Sequence, residues 1–136
     1  MPRPRKNVMA ALVRKGFAAA EGDHTYAALT QIRGDAKEGT MRAERSEYYA
    51  RYMAELKDER GKARIESRVF SLCNGNPGDV KPVGEGVSEL RIHYGPGYRV
   101  YFKRSGREIY LLLVAGTKST QPEDIALAKR IARKIV

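Results

Sequence analysis

"VSELRIHYGPGYRVYFKRSGREIYLLLVA", residues 87–115, decides the fold. Two alternating stretches flank Gly95-Pro96-Gly97, and a continuously apolar one follows Gly106. Tight turns between short strands give an antiparallel meander. The spacing predicts strands over Val87–Tyr94, Tyr98–Arg104 and Glu108–Ala115. "IYLLLVA" carries no alternation, so it is expected to be central and covered on both faces. Strand side chains alternate in direction. Leu90, Ile92 and Tyr94 therefore share a face with Tyr98, Val100 and Phe102. Glu89, Arg91 and His93 face the other way, with Arg99, Tyr101 and Lys103.

Working outward, "NGNPGDVKPVGEG" upstream of the hairpin is punctuated by Gly and Pro and reads as a loop. Before it lie two helical patterns. In "SEYYARYMAELKDE", Tyr48, Tyr49, Tyr52, Met53 and Leu56 form a stripe, with Ser46 as cap. From about Glu59 to Cys73, Ile65, Val69, Leu72 and Cys73 make an inner face. Arg60, Arg64 and Arg68 recur on another face, where a solvated stripe and a phosphate-contacting strip are both open readings. A last helix begins after Thr120. Thr120 and Glu123 have capping-box spacing, Pro122 suits the first turn, and Ile125, Ala128, Ile131, Ala132 and Ile135 form the apolar side. At the start of the chain, Arg5–Lys15 reads as a helix, and residues 17–43 as irregular short strands, with a final strand near Thr40–Ala43 completing the sheet.

Composition narrows the function. The 136 residues carry a formal net charge of +10, and 42% are apolar. A core is within reach of such a chain, and the charge favours polyanionic partners. Cys73 is the single cysteine, so neither a disulfide framework nor a thiolate zinc site can be built. No apolar run approaches a membrane span. The opening residues read as a helix rather than a leader, so a cytoplasmic location is expected, with no membrane partner.

If the apolar face of the hairpin packs on helices, the opposite face displays Arg91, His93, Arg99, Tyr101 and Lys103 together. Lys81 and Lys118 flank it. Such a face suits a phosphate backbone, with aromatic rings for base stacking. RNA supplies its own nucleophile, the 2′-hydroxyl. A protein that cleaves it must orient that group, neutralise transition-state charge and move protons. Arginine forks suit the phosphate and His93 suits proton transfer.

"NPGDVKPVGEGVSELRIHYGPGYRVYF" followed by "LLLVAGTKSTQPEDIALAK" resembles the HigB-like branch of the RelE superfamily, toxins of type II toxin–antitoxin modules. The resemblance covers about residues 45–136. It implies an α+β fold: a small antiparallel-rich sheet with two N-terminal helices and a C-terminal helix. It also implies metal-independent, cofactor-free mRNA cleavage, usually on the ribosome, and a HigA-like helix-turn-helix antitoxin as partner. The family's basic positions map onto Lys81, Arg91, Arg99 and Lys118. Expected catalytic residues are thus Arg91, Arg99, Lys118 and His93, and expected RNA-binding residues Lys81, Tyr98, Tyr101 and Lys103. The family tyrosine near the start of the last helix has no counterpart in "QPEDI", and its "GGDK" is here Ala115-Gly116-Thr117-Lys118. Residues 1–44 form an extension, whose "RKNVMAALVRKGFAAAEGDHTY" is faintly similar to the opening of HicA-like toxins, with His24 in the catalytic position. The rival expectation is a non-catalytic RNA- or partner-binding module.

Overall fold

The computed structural model describes residues 40–135. The expected first helix, the short strands before residue 40 and His24 lie outside these residues. Five strands form one sheet: β1 (Arg42–Arg45), β2 (Val80–Gly84), β3 (Val87–Ile92), β4 (Tyr98–Ser105) and β5 (Ile109–Thr117). Among the described residues three α-helices accompany them: α1 (Glu47–Glu55), α2 (Glu59–Cys73) and α3 (Gln121–Lys134). The strand order is β1-β5-β4-β3-β2. Strands β2 to β5 run as an antiparallel meander, and β1 pairs parallel with β5. The fold is α+β, with two helices before most of the sheet and a C-terminal helix packed on it.

Local chemistry explains the helix boundaries. The Ser46 hydroxyl oxygen accepts the Tyr49 N–H at 3.1 Å, and the hydroxyl donates to the Leu113 carbonyl at 2.6 Å. One side chain thus starts α1 and ties it to the sheet. Asp58 caps α2 by accepting the Gly61 N–H at 2.9 Å. That cap separates what the sequence pattern runs almost together. Thr120 departs from the expected capping box with Glu123. Its hydroxyl accepts the Thr117 N–H at 3.1 Å and donates to Asp124 at 2.6 Å. A 3₁₀ turn over Lys118–Thr120 precedes α3 and draws the capping chemistry one turn earlier.

Two further expectations are corrected. The segment read as a loop contains β2, which pairs with β3 and places Lys81 opposite Glu89. Pro82 is tolerated because β2 is an edge strand, and the register shifts between Pro82 and Gly84. The central strand is β4, with β5 between β4 and β1. β5 is nonetheless buried along nearly all its length, as its apolar run requires.

Each sheet face has its own core. Tyr49 and Met53 of α1 and Ile65, Val69 and Leu72 of α2 pack on Leu90, Ile92, Tyr98, Val100, Phe102 and Leu112. On the other face, Ala128, Ile131 and Ala132 of α3 pack on Val87, Tyr101, Leu111, Leu113 and Val114. β5 feeds both by strand alternation, and where Tyr101 pairs with Val114 and Phe102 with Leu112 the extra residue lets neighbouring Leu113 and Val114 share the α3 face.

Gly61 shows packing overriding propensity. A Cβ there would lie 2.6 Å from both Tyr98 Cε2 and Asp58 Oδ2. Helix propensity alone favours Gly61→Ala by about 1 kcal/mol. Overpacking against a buried ring costs about 1–3 kcal/mol, and the cap moves as well. The expected outcome is a net loss, read as a Tm lower by several degrees; a rise would mean Tyr98 yields freely.

Candidate functional site

The C-terminal helix changes the expected basic face. Its apolar side must be buried, and it is buried on the sheet face that carries Tyr101. Tyr101 is 0% exposed, and its hydroxyl donates to Glu89 Oε2 at 3.0 Å. Tyr98 is buried on the opposite face against α2, donating to Asp58 at 2.7 Å. Burial pushes both phenols well above their ordinary range, and each hydrogen-bonded carboxylate adds to this. Neither ring offers a surface on which a base can stack, so the expected stacking roles of Tyr98 and Tyr101 do not fit this geometry.

The arginines remain together. Arg91 and Arg99 are direct cross-strand partners, a pairing that like charges disfavour. Glu89 supplies the counter-charge. Its carboxylate is 0% exposed and accepts from Arg91 Nε at 2.9 Å, from Tyr101 and from Gln121 Nε2 at 2.5 Å. Arg99 Nε stands 3.7 Å from its second oxygen. Burial raises the Glu89 carboxyl, but the hydrogen bonds from Arg91, Gln121 and Tyr101 outweigh it and hold the pKa below the usual glutamate value. Glu89 therefore stays ionised and fixes the pair.

Arg99 is 8% exposed, and its Nη1 donates to the Gly97 and Tyr98 carbonyls at 3.2 and 3.3 Å. Lys118 lies on the same side of that turn: its Cβ and Arg99 Nη1 are 3.3 and 3.4 Å from where a Gly97 Cβ would sit. Gly97 has φ of 79°, a left-handed conformation that glycine adopts without strain. Lys118 is exposed. The sheet end thus gathers Arg91, Arg99 and Lys118.

His93 stands at the rim with a 72% exposed side chain, its Nε2 2.6 Å from Asp79 Oδ2. Asp79 also lies 4.0 Å from Arg91. The His93 hydrogen bond, with Arg91 nearby, holds the Asp79 carboxyl below its ordinary value despite some desolvation. With the ring proton on Nε2, donated to Asp79, Nδ1 is left to accept a proton. Lys81 is exposed on β2, opposite Glu89. Lys103 does not join the cluster. It pairs with Val87, four residues along β4 from Arg99, roughly 13 Å at the strand rise. Its side chain lies against the β2–β3 turn at Gly86.

Glu89, Asp79 and Gln121 are the site residues that sequence reasoning missed. Glu89 had a usable signal: a hairpin turning at residues 95–97 with Arg91 opposite Arg99 puts Glu89 opposite Tyr101. Among the described residues, no group of three or more His, Cys, Asp or Glu side chains is placed to hold a metal ion. Among the same residues, no helix is long and apolar enough to cross a membrane.

No family model and no solved structure matches the chain. It is 45% identical over 84 residues to an uncharacterized protein of Haemophilus influenzae, a match spanning 62% of this chain and 85% of that one. With that identity over most of the relative's length, the chain belongs to the same family as the Haemophilus influenzae protein.

Proposed function

We propose that the protein is an mRNA-cleaving endoribonuclease toxin of the HigB-like, RelE-superfamily kind, acting on the ribosome and neutralised by a HigA-like helix-turn-helix antitoxin. The observation that carries this is the convergence of Arg91, Arg99 and Lys118 at one end of the sheet, with both arginines preset by buried Glu89. Rigid, pre-paired guanidinium groups lose little freedom on meeting a phosphate. Cations held in place before the reaction lower the barrier by stabilising charge as it develops. In this reading Arg91, Arg99 and Lys118 take the phosphate, and Lys81 contributes to holding the RNA strand. His93, oriented by Asp79, moves the proton of the 2′-hydroxyl or of the leaving oxygen.

The Glu89 pairing also favours a second reading, a receptor that binds an anion without chemistry. Mapping transcript 5′ ends after induction, with purified ribosomes present and absent, separates the two. Discrete new ends support the enzyme; intact transcripts with retained RNA binding support the module. In cells, induced expression is expected to arrest growth, and Arg91→Ala to relieve the arrest; because that variant leaves buried Glu89 without its nearest cation, a thermal melt must show it still folded at the growth temperature. A folded variant that remains equally toxic removes Arg91 from the mechanism.

A further inference from the structure

Two members of the α2 arginine stripe, Arg64 and Arg68, engage the sheet end rather than being simply solvated. The Arg64 guanidinium lies 4.7 Å from the centroid of the Tyr94 ring. Arg68 Nη2 reaches the Arg91 carbonyl at 3.4 Å, and its guanidinium packs against Gly78. Tyr94 opens the turn that closes when the Gly97 N–H returns to its carbonyl at 3.0 Å. On the other flank of this turn stand Arg99 and Lys118. Gly95 and Gly97 both have positive φ, which makes the turn tight, and exposed Pro96 caps it between them.

We propose that the Tyr94–Gly97 turn is the ridge of a two-sided site for single-stranded RNA, with Arg64 stacked on Tyr94 as a base-stacking subsite. The proposal rests on reading Arg91, Arg99 and Lys118 as a phosphate site. Arg64 is exposed, and among the described residues no carboxylate pairs with it. Its guanidinium carbon stands over the Tyr94 ring, on one side of the group. The open face presents a flat, weakly hydrated cation, the surface on which unpaired bases stack. A strand bound by its phosphate at Arg99 and Lys118 crosses the turn at Pro96 and meets that plane. An acidic protein partner would use the charge of Arg64 and not its planarity.

The test is fluorescence anisotropy with a labelled single-stranded oligoribonucleotide of about 12 nucleotides, titrated at several salt concentrations. Arg64→Ala is expected to weaken binding about five- to 100-fold with an unchanged Tm. Arg64→Lys is expected to keep the wild-type salt slope while remaining weak, because charge returns without the plane. If both Arg64 variants bind as wild type while Arg91→Ala weakens binding, the subsite is wrong and the phosphate-site reading stands. If the wild type does not bind the oligoribonucleotide, both fall. If Arg64→Lys binds as wild type and polyaspartate displaces the RNA equally from both, the surface reads charge alone, and an acidic partner replaces the stacked base. Weakened binding with no transcript cleavage leaves the subsite standing and removes the enzyme.

Discussion

Glu89→Ala is expected to destabilise the protein by about 3–5 kcal/mol, the usual cost of breaking a buried ion pair from one side. For a domain of this size that lowers Tm by more than about 10 °C. The variant leaves Arg91 Nε, the Tyr101 hydroxyl and Gln121 Nε2 without their common acceptor. Glu89→Gln keeps the shape and one acceptor oxygen, so its loss is smaller. The pH dependence follows from the lowered carboxyl pKa. A group held below its unfolded value contributes fully above that value, and the contribution fades as pH falls through the folded one. The Tm gap between wild type and Glu89→Gln should therefore narrow as the solution is acidified below the ordinary glutamate value of 4.5. Asp58, Asp79 and Glu85 add acid sensitivity of the same sign, and Asp124, raised chiefly by burial, opposes it. Thermal melts of both proteins from pH 7 downward measure the difference. A gap that stays constant would mean that the Glu89 carboxyl titrates alike in the folded and unfolded chain.

Lys118→Ala is expected to lower transcript cleavage by about 100-fold or more, the scale seen when one preorganised transition-state donor is removed. Its stability should stay within about 0.5 kcal/mol of wild type. The separation of the two readouts comes from position. Lys118 is exposed in the short 3₁₀ turn, with no carboxylate partner among the described residues, yet it flanks the same glycine as Arg99. Arg99 is a poorer probe because its guanidinium also holds the Gly97 and Tyr98 carbonyls, so Arg99→Ala perturbs the turn with the charge. Single-turnover cleavage assays on the ribosome, paired with thermal melts, test Lys118. Unchanged cleavage by the folded variant would detach it from the chemistry.

Much of the architecture was legible residue by residue. Helix α2 runs over Glu59–Cys73, where the periodicity places it, because Ile65, Val69 and Leu72 repeat at helical spacing. The hairpin was legible because Gly95 and Gly97 permit a turn between two alternating stretches. Strand β2 was not, because Pro82 and the surrounding glycines are loop residues in every local measure. Only pairing with β3 makes that stretch a strand. Among site residues, the cross-strand meeting of Arg91 and Arg99 followed from alternation. The separation of Lys103 from them follows from strand rise, which places it at the other end of β4.

What the sequence by itself determined was the set of elements and the parity of each strand: which residues share a face, and that two arginines meet across a hairpin. These depend on local spacing and turn chemistry. Which face stays open was decided only by the tertiary structure. Helix α3 has to bury Ala128, Ile131 and Ala132, and it does so over Tyr101, Leu113 and Val114. That docking buries Tyr101, leaves Arg99 only 8% exposed and encloses Glu89 with its hydrogen-bond donors, while Arg91 and Lys118 stay accessible at the sheet end. Burial depends on partners distant in the chain, and no local pattern in the hairpin records where the last helix comes to rest.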